Sequence, residues 1–269
     1  MKKTHYRTLW LSDIHLGNRD CKAEYLLSFL DSITVDTLYL VGDIVDMWQM
    51  TKQFRWPKAH NQVMHKFMQM SQDGTRVVYL PGNHDEPIQS YSGMAFGDIE
   101  IERELVHTTA QGKRYLVLHG DQFDGDVTMG KFHAWIGDKG YDLLLFLNRE
   151  FNRLRAWRKR EYWSLAGYIK KHIKGANEAI ARYREACCRR ADEMGLDGVV
   201  CGHIHHPESS FESSFENGIH YINDGDWIEN CSALSEDVNG NLSLIHYLDS
   251  LESATVTPIT TKTSRSEAA

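Results

Sequence analysis

The sequence predicts an α/β fold carrying a helical insertion, and three observations lead there. Short apolar, β-branched runs alternate with stretches of helical periodicity. Each run ends in a polar, glycine-bearing cluster, where α/β sheets bind ligands. The clusters are evenly spaced, 30 residues from Asp13 to Asp43, 40 more to Asn83 and 36 more to His119, until a gap of 84 before His203.

In chain order, residues 6–11 form a strand running into Ser12-Asp13-Ile14-His15, followed by a helix over about 22–33 with Leu26, Leu27, Phe29 and Leu30 on one face. Residues 37–41 lead into Gly42-Asp43. A second helix covers about 58–72, where Val63, Met64, Phe67, Met68 and Met70 recur at helical spacing and read as core filler. Residues 76–80 lead into Pro81-Gly82-Asn83-His84-Asp85, and residues 114–118 into His119-Gly120-Asp121. Residues 125–195 read as helical throughout and account for the long gap. A strand over 197–201 then ends in Gly202-His203-Ile204-His205, and short strands follow over 209–215, 219–223 and 242–248. The expected organisation is a core of residues 1–124 and 196–251, an insertion over 125–195, and a Ser/Thr-rich, frayed tail over 252–269.

Composition narrows the class. No apolar run approaches the roughly 18 residues of a membrane span, and the N-terminus reaches Asp13 and His15 before any signal-like apolar core forms. Five irregularly spaced cysteines read as reduced thiols, so a cytoplasmic location is expected. The chain is acidic, with a formal net charge of −7, yet residues 131–174 hold eleven Lys or Arg against four Asp or Glu. That basic stretch interleaves with Trp135, Phe151, Leu154, Trp157, Tyr162 and Trp163. It fits a helix lying on an anionic membrane surface, and equally a helical lid with its basic face in solvent. The overall charge and the lack of a recognisable nucleic-acid module argue against DNA or RNA as partner. Oligomeric state leaves no signal.

The strand-end residues Asp13, His15, Asp43, Asn83, His119, His203 and His205 are oxygen and imidazole donors without a thiolate. Such a set suits Mn²⁺, Fe²⁺ or Zn²⁺. On extended chain, Asp-x-His and His-x-His pairs would project both side chains to one side. An aspartate can bridge two cations roughly 3.5–4 Å apart.

The ordered series Asp13-x-His15, Gly42-Asp43-x-x-Asp46, Gly82-Asn83-His84-Asp85, His119-Gly120-Asp121 and Gly202-His203-x-His205 resembles the calcineurin-like metallophosphoesterases. The resemblance implies a two-sheet α/β/β/α sandwich. It implies one cation held by Asp13, His15, Asp43 and His205, and a second by Asp43, Asn83, His119 and His203. His84 would then face the substrate, with Asp85 orienting it, and Asp46 and Asp121 would support ligand imidazoles. The implied reaction is metal-assisted attack of water on phosphorus in a phosphate ester or pyrophosphate.

The insertion and the ending Gly202-His203-Ile204-His205-His206-Pro207 are also similar to the UDP-2,3-diacylglucosamine pyrophosphatases of lipid A synthesis. That resemblance implies a lipid-linked nucleotide sugar as substrate, Mn²⁺ as metal, a lid that holds acyl chains, and peripheral contact with the inner membrane. One departure stands out, because those enzymes usually carry Arg where this chain has His84. An arginine stabilises phosphate charge, whereas a histidine can protonate a poor leaving group. A phosphomonoesterase or phosphodiesterase acting on another small or nucleotide substrate therefore stays open as the alternative.

Overall fold

In a computed structural model, the chain is described over residues 3–125, 150–152, 154–155, 157–158, 174–216 and 218–249. Alternation along its strands explains the layers. In β1 (Thr4–Leu11), Leu9 and Leu11 point one way and Trp10 the other, and all three are fully buried. After β1 the chain runs through α1 (Ala23–Asp31), β2 (Ile33–Val41), α2 (Met47–Lys52), α3 (Lys58–Gln72) and β3 (Arg76–Leu80). A 3₁₀ turn over Glu86–Tyr91 leads to β4 (Met94–Phe96), β5 (Ile99–Ile101), β6 (Glu104–Thr108) and β7 (Arg114–Leu118). Beyond the insertion come α4 (Lys174–Glu193), β8 (Gly198–Cys201), β9 (Glu208–Glu212), β10 (Ile219–Asn223), β11 (Ser232–Glu236) and β12 (Leu242–His246).

Two sheets result. The first has the order β12-β11-β1-β2-β3-β5-β4 and the second β6-β7-β8-β10-β9. The central strands β1, β2, β3 and β5 are parallel, as are β7, β8 and β10, while the outer pairings are antiparallel. Trp10, Tyr39, Val41, Val78 and Leu80 of the first sheet meet Tyr115, Val117, Val200 and Ile222 of the second. On the outer face of the first sheet, Leu9, Leu38 and Val77 pack against Leu26 and Phe29 of α1 and Val63 and Phe67 of α3. The outer face of the second packs Leu116, Leu118 and Val199 against Tyr183, Cys187 and Ala191 of α4. The α/β/β/α sandwich is thus observed.

The sequence placed all of residues 125–195 in the insertion, but α4 is a core layer. Its apolar face is needed to cover the second sheet, which residues 125–195 as a detached lid would have left bare. The remainder of that segment lies largely outside the described residues, as does the tail. All five cysteines are free and buried.

The parallel strands β1, β2, β3, β7 and β8 bring their C-terminal ends to one edge of the sandwich, and the polar clusters sit there. Among the described residues no helix is long and apolar enough to cross a membrane.

Candidate metal centre

Asp13 and His15 follow β1, Asp43 follows β2, Asn83 follows β3, His119 follows β7, and His203 and His205 follow β8. These ligand pairs do not lie on extended chain as expected. Asp13, His15, Asp43, His203 and His205 all have positive φ, between 50° and 70°, and they make up five of the six described non-glycine residues in that region. Left-handed backbone costs of order 1–3 kcal/mol per residue and gathers at functional sites. Here each left-handed step turns a carboxylate or imidazole back over the strand end instead of along it. Gly82 makes the convergence possible, since a Cβ there would stand 2.4 Å from Asp43 Oδ1 and 2.5 Å from His119 Cδ2.

Three groups of donors come together among the described residues, with ligand atoms within 4.8 Å inside each; two consist of expected ligands, Asp13, His15 and His205, and Asp43, His119 and His203, and the third is His15, Asp46 and His84. The Asp43 carboxylate faces both groups of expected ligands. Its Oδ1 is 3.5 Å from His119 Nε2 and its Oδ2 is 3.7 Å from His15 Nε2. Asp13 Oδ1 lies 3.0 Å from His205 Nε2 and 3.8 Å from His15 Nε2, yet it makes no well-directed hydrogen bond.

The donor chemistry fits divalent cations. His119 Nδ1 donates to the Val41 carbonyl at 2.9 Å, so in the neutral ring Nε2 turns a lone pair towards Asp43. That Nε2 is buried and has no hydrogen-bond partner, and the same holds for the Asn83 amide oxygen. His15 Nδ1 donates to Asp46 Oδ2 at 3.2 Å, and its Nε2 meets His205 Nε2 at 3.3 Å. Lone pairs and carboxylate oxygens facing one another in a buried site are repulsive unless positive charge sits among them.

Protonation reports the same field. Burial pushes His15 down, but Asp13, Asp46 and Asp43 hold it well above the ordinary imidazole value. His119 behaves alike through Asp43, Asp13 and Asp121. Burial raises Asp13, yet His205 and His15 carry it well below the carboxylate range. For Asp43 burial is outweighed by His119 and His15, again downward.

His84 stands beside the two groups. Its backbone N–H donates to Asp43 Oδ1 at 2.8 Å and its Nδ1 to Asp46 Oδ1 at 2.9 Å. The ring packs between His15 (centroids 4.6 Å, near-perpendicular) and the half-exposed Trp48 (4.5 Å). Asp46 therefore holds His15 through one oxygen and His84 through the other, and it caps α2 by accepting from Gln49 N at 2.9 Å. Opposed by burial, the bonds from His15 and His84 keep Asp46 far below its usual range.

Two expected supporting roles are corrected. Asp85 does not orient His84. Its fully buried carboxylate accepts from Gly82 N (2.5 Å), Ile44 N (2.8 Å), Asp43 N (3.3 Å) and the Tyr79 hydroxyl, which ties the β2 and β3 ends together. Asp121 pairs with Arg103 at 3.4 Å, and its charge acts on His119 through space rather than through a hydrogen bond, His119 Nδ1 being bonded to the Val41 carbonyl. The carboxylate that meets a ligand imidazole on that side is Asp124, 2.7 Å from His203 Nε2. The sequence left Asp124 without a role, and Trp48 gave no signal beyond an aromatic residue near Asp43. Asp224 and Asp226 are buried in the wall behind the site, where Asp224 accepts from Ser12 Oγ at 2.6 Å and Asp226 from Ile228 N at 2.8 Å.

The calcineurin-like phosphoesterase family model matches residues 6–207. Among the similar proteins are several named UDP-2,3-diacylglucosamine hydrolase. The protein of Photorhabdus laumondii is 31% identical over 117 residues, which cover 42% of this chain and 48% of that one, so this match spans about half of the relative. The protein of Chromohalobacter salexigens is 26% identical, covering 74% and 80% of the two chains. The protein of Aliivibrio fischeri is 23% identical, covering 84% and 92%.

Proposed function

The chain belongs to the calcineurin-like phosphoesterases, and on that premise we propose that it is a dinuclear, Mn²⁺-dependent hydrolase of UDP-2,3-diacylglucosamine, releasing UMP and an acyl-sugar phosphate. The observation that carries the dinuclear part is the pair of donor groups joined by Asp43, each with lone pairs turned inward. Asp13, His15, Asp43 and His205 would hold one cation, and Asp43, Asn83, His119 and His203 the other. When bound, the two cations lower the pKa of water and neutralise phosphoryl oxygens.

The chain's own residues do the rest. Asp46 fixes the His84 ring so that Nε2, the nitrogen not bonded to Asp46, is the one available to substrate. His84 is partly exposed, with 26% of its side chain open to solvent, so a leaving oxygen can reach it. Trp48 covers the His84 ring and offers an apolar face at the rim. The substrate is brought to this chain by its relatives' names. The insertion adds to the reading: Leu154 and Trp157 are exposed beside Arg155 and Arg158, the combination that seats a protein on an anionic lipid surface. A peripheral position at the cytoplasmic face of the membrane follows.

A UMP-release assay on UDP-2,3-diacylglucosamine with Mn²⁺-loaded protein, paired with liposome flotation, tests this. Turnover and co-flotation with anionic vesicles are expected. No turnover by protein that has bound Mn²⁺ removes the substrate assignment, and protein left at the bottom of the gradient removes the membrane assignment.

His84 favours a second reading, a phosphomonoesterase or phosphodiesterase with His84 as general acid. Its pairing with Asp46 is the arrangement a proton donor needs. A panel of Mn²⁺ assays over nucleotide sugars, cyclic nucleotides and monoesters separates the two by which substrate gives the highest kcat/KM.

A further inference from the structure

The two donor groups are supported differently. His15 and His205 meet the buried carboxylates of Asp46 and Asp13. On the other side His119 faces Asp43 and His203 meets the exposed Asp124, and there a helix also holds the backbone. His119 and His203 belong to strand ends whose backbone is held from behind by α4. Tyr183, fully buried on that helix, places its hydroxyl 3.2 Å from the His119 carbonyl and 3.3 Å from the Gly202 carbonyl. One phenolic hydrogen is thereby shared between the ends of β7 and β8. The ring lies against the His203 imidazole, with centroids 5.9 Å apart.

Local sequence makes room for this hydroxyl. Gly120 has φ +108°, and a Cβ at that position would fall 1.8 Å from the Tyr183 oxygen. Elsewhere the ring meets apolar side chains, Leu116, Leu118 and Val199, while the Cys187 and Cys201 thiols and Tyr221 stand nearby in the same cluster. A phenylalanine would fill the space without bringing a polar atom into it. Burying a hydroxyl costs free energy unless it is bonded, and the bonds it makes run to the two segments that present second-cation donors.

We infer that Tyr183 is a positioning residue for the second cation, fixing the β7 and β8 ends so that His119 and His203 converge with Asp43 and Asn83. This rests on the dinuclear reading above. Groups behind metal ligands typically change affinity by about 10–100-fold when removed. Because Tyr183 acts through backbone, the lower end of that range applies.

The test is Tyr183→Phe, titrated with Mn²⁺ from the metal-free state by calorimetry, with electron paramagnetic resonance separating single ions from coupled pairs. Leu116→Val, a one-methylene truncation in the same cluster, serves as the packing control. In Tyr183→Phe the second Mn²⁺ should bind about tenfold more weakly and the first within twofold of wild type. The metal-free melting temperature should fall by no more than about 4 °C, the shift expected of one neutral hydrogen bond. Leu116→Val should lower the melting point without separating the two affinities. Equal weakening of both ions in Tyr183→Phe, no weakening, or the same separation in Leu116→Val overturns the role of Tyr183. Wild-type protein that binds fewer than two ions overturns the dinuclear reading, and the inference with it.

Discussion

Midway along β1, Arg7 and Thr8 close on Glu236; a few residues on, past the end of the strand, come Asp13 and His15. Both ends of this stretch carry buried charge, and they are built in opposite ways. The Glu236 carboxylate is fully engaged, accepting from Arg7 (2.7 Å), Thr8 Oγ1 (2.8 Å), His107 Nε2 (2.9 Å) and Ala110 N (2.7 Å). Backbone φ at Arg7, Thr8, His107 and Glu236 is negative, as in ordinary strand. The other end has left-handed residues, inward lone pairs and unpartnered atoms on Asp13, Asn83 and His119. Hydrogen bonds at the first end are spent on stability. The second end carries strained backbone and donor atoms left unpartnered, and these serve binding. Substitutions at the two ends should therefore separate activity from stability.

The largest effect is expected at Asp43, which faces both donor groups. Asp43→Asn keeps the shape and tolerates positive φ, yet removes the shared charge. Turnover should fall on the order of 10³-fold, as expected for losing several kcal/mol of metal-borne stabilisation. A variant with normal rate would end the two-cation account.

Next comes His84→Ala. With His84 as proton donor, alkyl phosphate esters should lose about 10²-fold or more in kcat and p-nitrophenyl esters far less. Equal losses on both would leave His84 a charge-stabilising role only.

Asp46→Ala should weaken Mn²⁺ binding about tenfold or more by freeing His15, and remove the α2 cap at about 1 kcal/mol. Metal titration and melting of the metal-free protein read the two separately. Unaltered affinity would mean that His15 is held in place by packing alone.

The smallest effect on catalysis belongs to Glu236→Gln, with Mn²⁺-loaded turnover at neutral pH within twofold of wild type. Opposed by burial, the bonds from His107, Ala110 and Thr8 bring Glu236 down to about 2. A depressed carboxylate stabilises the fold above its unfolded value, and this contribution is lost as pH falls from about 4.5 towards 2. Melting of metal-free wild type should drop across that window, and the variant should be less stable at pH 7 with a shallower acid limb. Parallel acid limbs would show that Glu236 is not a stabilising anion.

The candidate metal end was legible as a set of converging donors because its pattern is local. Each of these donors follows an apolar run by one to four residues, and the order of the blocks survives in the sequence. What stayed hidden depends on partners far along the chain. Strand β11, Ser232–Glu236, is polar in sequence yet buried throughout; nothing near Glu236 announces Arg7 or His107. Asp85, next to His84, is drawn by Tyr79 and the Ile44 amide instead, and Asp46, 38 residues away, orients the imidazole. Tyr183 reads as one aromatic among many in a helical stretch, and its role is visible only once α4 lies behind β7 and β8. The left-handed residues carried no signal either, since five of the six are Asp or His rather than glycine.

Anomalous scattering from crystals soaked in Mn²⁺ after metal removal addresses the two-cation centre most directly. Two peaks are predicted roughly 3.5–4 Å apart, one among Asp13, His15 and His205, the other among Asn83, His119 and His203, with Asp43 between them. A single peak there, or manganese bound only elsewhere on the protein, would contradict it.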